Sequence, residues 1–336
     1  MNGSRTSAFG YWWLPLGYWL LAIGCWTVVS GAVSPLPAQS LPPYAPLNPA
    51  AQMRSGLATL PYFTVDRRWH VSFAVDYGSL IEYHAGEGAS YVLDAEVLGA
   101  RLLVARSIGT TGFVLAETSF YGSYDGFLDG FLDWYHNFTG LHVAARELRP
   151  KDEFAHEIRL GGREFQYAKS SGFIGDVRVG GGFRHGRGWQ TAAWLTLPTG
   201  STPGGHRKGV LSANAMTMLH HDFGKGNRFT YEGSAGFGYT PHHGELRQWQ
   251  HTTFLMVAQG LRARIVGPFQ GYANIIYDTP YYRDTGIPDL DRKELTLDAG
   301  ALFRFKRGPA WLLGMTQDLS PKGPAIDVAF RLGAYW

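Results

Sequence analysis

The chain has 336 residues, 15% of them aromatic and 44 of them Gly, but only 17% charged, against about 25% in soluble domains. The net charge of +3, with arginines scattered along the chain, excludes a basic nucleic-acid-binding surface. Only one long apolar run occurs, which excludes a bundle of membrane helices of about 20 apolar residues each. What remains is apolar content hidden in alternation, the pattern of a transmembrane β-barrel.

The N-terminus reads as a separate object. Arg5 precedes an apolar run from Tyr11 to Val33, and Ala38-Gln39-Ser40 offers a small-x-small cleavage site, so residues 1–40 are expected to be a secretory signal peptide. The only cysteine, Cys25, lies inside that run; Ala22 and the apolar residues beyond it argue against a lipoprotein acceptor. Removal of the signal leaves a chain without thiols, which suits passage through an oxidising periplasm. Residues 41–67, rich in Pro, are expected to form a periplasmic lead-in, and residues 68–336 the barrel.

Alternation begins at Trp69: Val71, Phe73, Val75 and Tyr77 share its face, opposite His70, Ser72, Ala74 and Asp76. A polar loop is expected at 80–88, a second strand at 91–107 broken near Gly99, and a third at 112–121. Residues 122–170 break the pattern and are expected to form one extracellular excursion. Within it Phe127, Phe131, Trp134, Tyr135 and Phe138 fall at helical spacing, with Asp125, Asp129, Asp133 and His136 on the other side, and a small hairpin follows over 156–167.

From Gly175 strands and turns become regular, with strands expected at 175–184, 189–197, 210–223, 228–240, 252–266, 269–281, 294–305, 309–319 and 325–336. The final strand places Ile326, Val328, Phe330, Leu332 and Ala334 opposite Asp327, Ala329, Arg331, Gly333 and Tyr335, and the chain stops on Trp336. It looks like the closing strand of a bacterial outer-membrane barrel, in which Phe330, Leu332 and Trp336 would serve as an address for the barrel assembly machinery. The count is about twelve antiparallel strands, an all-β barrel with one short helix in a long loop. Short turns then fall on the periplasmic side, long loops outside, and both termini inside. Closure leaves no strand edge unpaired in hydrocarbon.

Asp94-Ala-Glu96, Gly126-Phe-Leu-Asp-Gly-Phe-Leu-Asp133 with His136, Gly175-Asp176-Val177 and Leu197-Pro-Thr-Gly200 together resemble the bacterial domain of unknown function 3187 proteins over roughly residues 45–336. The resemblance implies an outer-membrane barrel of unassigned activity in a Gram-negative bacterium, so chemistry has to be read from the residues. Parity points Asp76, Arg178, Glu232, Arg262, Arg264, Asn274, Asp278, Asp298, Arg304, Asp327 and Arg331 into the lumen, as charge rings of a porin-like pore or as ion pairs that occlude it. Twelve strands give a lumen between the filled interior of eight and the open channel of sixteen or more.

Four further readings follow from the residues. The helix could fold into the mouth as a constriction, or pack its aromatic face on the rim. Asp129, Asp133 and His136 are weak candidates for a divalent cation, against a solvated polar face. His70 and Ser72, two apart on one strand face, are weak candidates for the base and nucleophile of a lipid-modifying enzyme. Histidine–acid groups at 220–222 and 242–245 are the nearest to a proteolytic arrangement. Passive passage of small solutes or a structural role in the envelope is the expected function, with no cofactor and no nucleic acid. Outer-membrane lipids, lipopolysaccharide and periplasmic chaperones are the expected partners, and a lipid-modifying or proteolytic barrel is the alternative.

Overall fold

The structure, a computed structural model, describes residues 43–54, 56–64, 67–140, 143–186, 188–201, 208–305, 308–320 and 328–336. The expected signal peptide and Asp327 lie outside the described residues. Fifteen strands follow in chain order: β1 Trp69–Gly86, β2 Ala89–Ile108, β3 Gly112–Tyr124, β4 Ala155–Leu160, β5 Arg163–Gln166, β6 Ser170–Ile174, β7 Val177–Gly186 and β8 Trp189–Leu197. Then come β9 Ser212–Phe223, β10 Phe229–Tyr239, β11 Thr253–Val266, β12 Phe269–Asp278, β13 Glu294–Arg304, β14 Ala310–Asp318 and β15 Val328–Tyr335. Short helices are α1 Pro49–Gln52, α2 Asp129–Thr139, α3 Ala144–Glu147 and α4 Pro288–Asp291.

Twelve of these strands, all but β4, β5 and β6, pair antiparallel in a ring that closes between β1 and β15, from Ser72↔Tyr335 to Ser79↔Val328. Alternation dictates what each face shows. Phe73, Leu102, Val114, Leu195, Phe237, Leu255, Ile275, Leu313 and Leu332 are exposed on the outer wall, the apolar belt of a barrel in lipid. The inner face carries Asp76, Arg101, Glu117, Arg178, Arg262, Asp298 and Arg331, all buried. Trp336 ends the chain with its backbone paired to Val71 at the closing seam (2.9 and 3.4 Å).

Four expectations need correction. The polar loop expected at 80–88 is strand: β1 and β2 pair without interruption to Gly86↔Ala89, because Leu80, Tyr91 and Leu93 bury against the material that closes the outer mouth. The second strand is likewise unbroken at Gly99, which pairs with Asp76. The helix begins at Asp129, so Asp125 and Phe127, which fall at helical spacing in the sequence, precede it. Largest of all, residues 43–64 are not a periplasmic lead-in. Tyr44, Leu47, Asn48, Arg54, Leu57, Ala58 and Phe63 are buried within the barrel, where the inner-facing side chains of twelve strands leave room for a chain.

The excursion also departs from a free extracellular loop. β4 pairs with the upper end of β2, Ala89↔Leu160 to Asp94↔Ala155, and β5 follows it, so the wall is extended sideways above the membrane. The upper half of β3 takes β6 as partner and the lower half takes β7, with a break in the ladder at Gly175-Asp176. The loop 240–252 and the loop 279–293 are pinned together over the mouth by Arg283 N–H to Trp249 O (2.7 Å) and His251 N–H to Tyr281 O (2.8 Å). Tyr281, Tyr282, Ile287, Leu290 and Leu246 pack beneath them.

Candidate functional site: the occupied lumen

The inner segment is a loop closed on itself and then tied to the wall on every side. Tyr44 N–H donates to Thr59 Oγ1 (2.6 Å) and Thr59 N–H to Tyr44 O (3.0 Å), so the stretch between them folds back at α1. Asn48 caps α1 through Oδ1 to Ala50 N–H (2.9 Å), and Pro49 at the first helical position needs no N–H partner. The same Asn48 donates from Nδ2 to Glu82 of β1 (3.2 Å). At the tip, Arg54 donates to Glu294 of β13 (2.9 Å) and lies 3.8 Å from Asp278 of β12. Its Nε and Nη2 are buried without a hydrogen-bond partner.

The returning limb runs down to the start of β1. Arg178 of β7 donates to Gly56 O and to Glu117 of β3. Gly56 has φ +79°, and a Cβ there would fall 2.8 Å from Thr196 Oγ1, so both the turn and the close wall require glycine. Lower down, Gln190 of β8 brackets the chain, accepting from Phe63 N–H (3.0 Å) and donating to Pro61 O (2.8 Å). Arg184 donates to Phe63 O (2.5 Å), and the Tyr62 ring stacks on His220 at 5.0 Å.

Other charges of the inner face pair along the wall. Asp76 accepts from Arg101 (2.8 Å) and from Arg331 (2.6 Å), which also reaches Asp298 (3.1 Å), so one buried network ties β2, β1, β15 and β13 across the closing seam. The ring of Tyr44 covers the Arg331 guanidinium at 4.9 Å. Nearer the periplasm, Glu232 lies 3.0 Å from His220 and 3.6 Å from Arg262. Arg264 donates to Gly226 O in the adjacent turn (3.2 Å), and Arg304 is partly exposed on β13. Asn274 donates to Asp298 (3.2 Å). Of the residues assigned to the lumen from parity, Asp76, Arg178, Arg262, Asp278, Asp298 and Arg331 are buried, and Glu232, Arg264, Asn274 and Arg304 are partly exposed.

Two gaps lie beside the segment, of about 50 and about 40 Å³, enough for a few waters and no solute. The larger is bounded by Arg101, Glu117, Ser119, Tyr121, Asp176, Arg178 and Lys208. Lys208, in the loop between β8 and β9, is buried, and that burial pulls its ammonium down to about 8, only partly offset by Asp176. In the outer loops His243 and His251 are also held below the ordinary imidazole value by burial.

The other candidate sites are not assembled. His70 Nε2 lies 3.1 Å from Thr64 O, with its ring 5.2 Å from that of Phe63, so the inner segment holds the imidazole; Ser72 is buried on the same inner face. Asp129 accepts from Arg146 (2.6 Å) and from Asp152 N–H (2.7 Å), and Asp133 pairs with Lys151, so cationic side chains stand where a metal ion would. Among the described residues no group of three acidic, His or Cys side chains forms a metal cage. His243 faces Pro241 O and Gln250, and His220 and Asp222 sit at the periplasmic end within the ion-pair network.

α2 does not enter the mouth. Phe127 stacks on Tyr77 at 5.6 Å, Phe131 meets Phe330 edge-on at 5.8 Å, and Tyr135 Oη donates to Gln317 (3.3 Å), all on the outer wall of β1, β15 and β14. The polar groups that hold it are outward-facing acids of β2. Glu96 accepts from Phe127 N–H (2.8 Å), Leu128 N–H (2.5 Å) and Tyr77 Oη, and Asp94 pairs with Arg149 (3.0 Å). A Cβ at Gly126, φ +82°, would land on the Glu96 carboxylate. Two stretches distant in sequence, 94–96 and 126–133, thus form one structural unit, a strap on the outside of the barrel.

No family model and no curated protein matches the sequence. Among solved structures the chain is similar to an outer membrane channel from Pseudomonas putida F1, with 11% identity and a TM-score of 0.53, over 82% of this chain and 97% of that one. It is also similar to the beta domain of the Bordetella autotransporter Brka, with 12% identity, 80% and 99% coverage and a TM-score of 0.42. A FadL homologue of Pseudomonas aeruginosa gives 10% identity, 89% and 99% coverage and a TM-score of 0.41. The closed ring of twelve strands and the likeness to the Pseudomonas putida structure give the fold of an outer-membrane β-barrel.

Proposed function

We propose that the protein is a passive channel of the Gram-negative outer membrane for small solutes, held shut by residues 43–64. The observation that carries this reading is that the lumen is filled by a separate stretch of chain, positioned by polar tethers and packed on the wall through Tyr44, Leu47, Leu57, Leu60 and Phe63. A wall meant only to span the membrane has no need of such a filling. Ion pairs and amide bonds specify where the segment sits, but they rehydrate when it leaves a water-filled pore, so their net hold is modest. The two unpartnered nitrogens of Arg54 add to the free energy that release recovers. That the Pseudomonas putida neighbour is itself described as an outer membrane channel is consistent with this reading.

The chain reaches the membrane by a secretory signal and periplasmic chaperones, and is inserted by the barrel assembly machinery, for which Phe330, Leu332 and the exposed Trp336 of the closing strand are the address. Membership of the domain of unknown function 3187 family is part of the same proposal, resting on the residues gathered at the outer strap. The test is conductance in planar bilayers of the mature chain against one lacking residues 43–64. The full chain is expected to be closed or to flicker, and the deletion to conduct steadily. A deletion variant that folds, by heat-modifiable gel mobility, and still does not conduct would overturn the channel.

A further inference from the structure

α2 is amphipathic in the inverted sense. In water such a helix turns its aromatic stripe to the protein and its acids to solvent. Here Asp129 and His136 are buried, while Phe127, Phe131, Trp134 and Phe138 are 72, 41, 58 and 77% exposed. Leu128 and Leu132 face the wall and pack on Val328. The aromatic stripe is continuous with the lipid-facing belt, since Phe131 touches Phe330 and Phe127 touches Tyr77, both on the outward parity of their strands. Tyr77 stands eight residues above Trp69 on β1, about 20 Å of height for a strand tilted by about 40°. That places the helix at the outer edge of an apolar band about 25 Å tall.

We propose that α2, together with Phe127 at its entry, is an interfacial element embedded in the outer leaflet, with the aromatic stripe among the lipid acyl chains. Within the long connection from β3 to β4 the helix lies on the lipid side of the barrel, not free in the water above it. Aromatic side chains favour this level of a bilayer, where a ring is buried in hydrocarbon and Trp134 Nε1 can still reach a headgroup oxygen. The Lys151–Asp133 pair closes the polar edge of the helix, and Arg146 with Asp129 closes the side toward the barrel. The reading depends on the membrane barrel but not on whether its lumen conducts.

The experiment attaches a nitroxide label at Phe138→Cys, and separately at Trp134→Cys, in the chain beginning at residue 41, which has no other cysteine. Refolded into phosphatidylcholine–phosphatidylglycerol vesicles, each label is read for collision with oxygen, which partitions into lipid, and with a water-soluble nickel chelate. Leu313→Cys on the outer wall and Glu164→Cys on the exposed hairpin are the lipid and water references. Both helix labels are expected to fall with Leu313, several-fold more accessible to oxygen than to nickel. Labels that behave like Glu164 would place the stripe in water and overturn the proposal. Low accessibility to both reagents would mean that protein covers it, and would overturn it equally.

Discussion

The inner segment precedes the barrel ladder and the outer strap interrupts it, yet both lie against its wall, and they are held in opposite ways. Residues 43–64 are tied to strands all round the ring, by Glu82 on β1, Arg178 on β7, Gln190 on β8 and Glu294 on β13. Residues 126–152 are tied to one seam, chiefly by Asp94 and Glu96 on β2, with apolar packing on β15. Strand parity decides which. Inward acids and bases meet the segment, whereas two acids on the outward face, which would otherwise stand bare in lipid, meet the strap. Tethers spread round a ring can be broken only by moving the whole plug. Tethers along one seam can fail without disturbing the lumen.

Substitutions at the two sites should therefore separate permeability from the order of the strap. The largest effect short of deletion is expected from Arg54→Ala, which leaves Glu294 and Asp278 buried together without their cation. Removing one partner of a buried pair costs about 3–5 kcal/mol, a hundredfold or more in an equilibrium. Open probability in planar bilayers should rise by that order, with the barrel still heat-modifiable. An unchanged open probability would show that the segment does not gate.

Glu96→Ala comes next and should act only outside. It strands the amide groups of Phe127 and Leu128 and the hydroxyl of Tyr77, each worth about 1–3 kcal/mol when buried and unpaired. Protease should cut the 125–152 region of the variant much faster than that of the parent, with conductance unchanged; coupled changes in both would erase the distinction between the two regions.

Lys208 gives a smaller, pH-dependent effect. Its folded pKa of about 8 lies below the ordinary 10.5, so the folded protein binds fewer protons between those values. The closed state should gain stability as pH climbs through that window, and the burial penalty should be complete below it. Titration of the methylated amine by NMR should show a midpoint near 8 in the parent and near the ordinary value once residues 43–64 are removed. Smallest is Ser72→Ala, a buried hydroxyl on the inner face of β1. It should change stability by about 1 kcal/mol at most, and leave lipid composition and conductance as they were; loss of a lipase activity would revive the enzyme reading.

The wall was legible because period-two alternation is local: each strand announces which face meets lipid, and short turns set its neighbours. Trp189–Leu197 is an example in which sequence and structure give the same bounds. The candidate site was half legible. Parity places Asp76, Asp298 and Arg331 on the inner face, but their shared network arises only when β13, β15 and β1 come together by closure. A signal for the inner segment is nonetheless present in the sequence. Between Tyr44 and Phe63 the only charge is Arg54, an unusual sparseness for a tether in water. Likewise Asp94 and Glu96 fall on the lipid parity of β2, which calls for a cover.

The sequence by itself determined an antiparallel membrane barrel of twelve strands, its inner and outer faces and its aromatic closing strand, because all of these follow from spacing along the chain. Only the tertiary structure decided what occupies the lumen and which side of the wall the aromatic helix lies on. Both depend on meetings between residues far apart in sequence, Arg54 with Glu294 and Phe131 with Phe330, and no local periodicity encodes which face of a closed wall a connecting stretch will find.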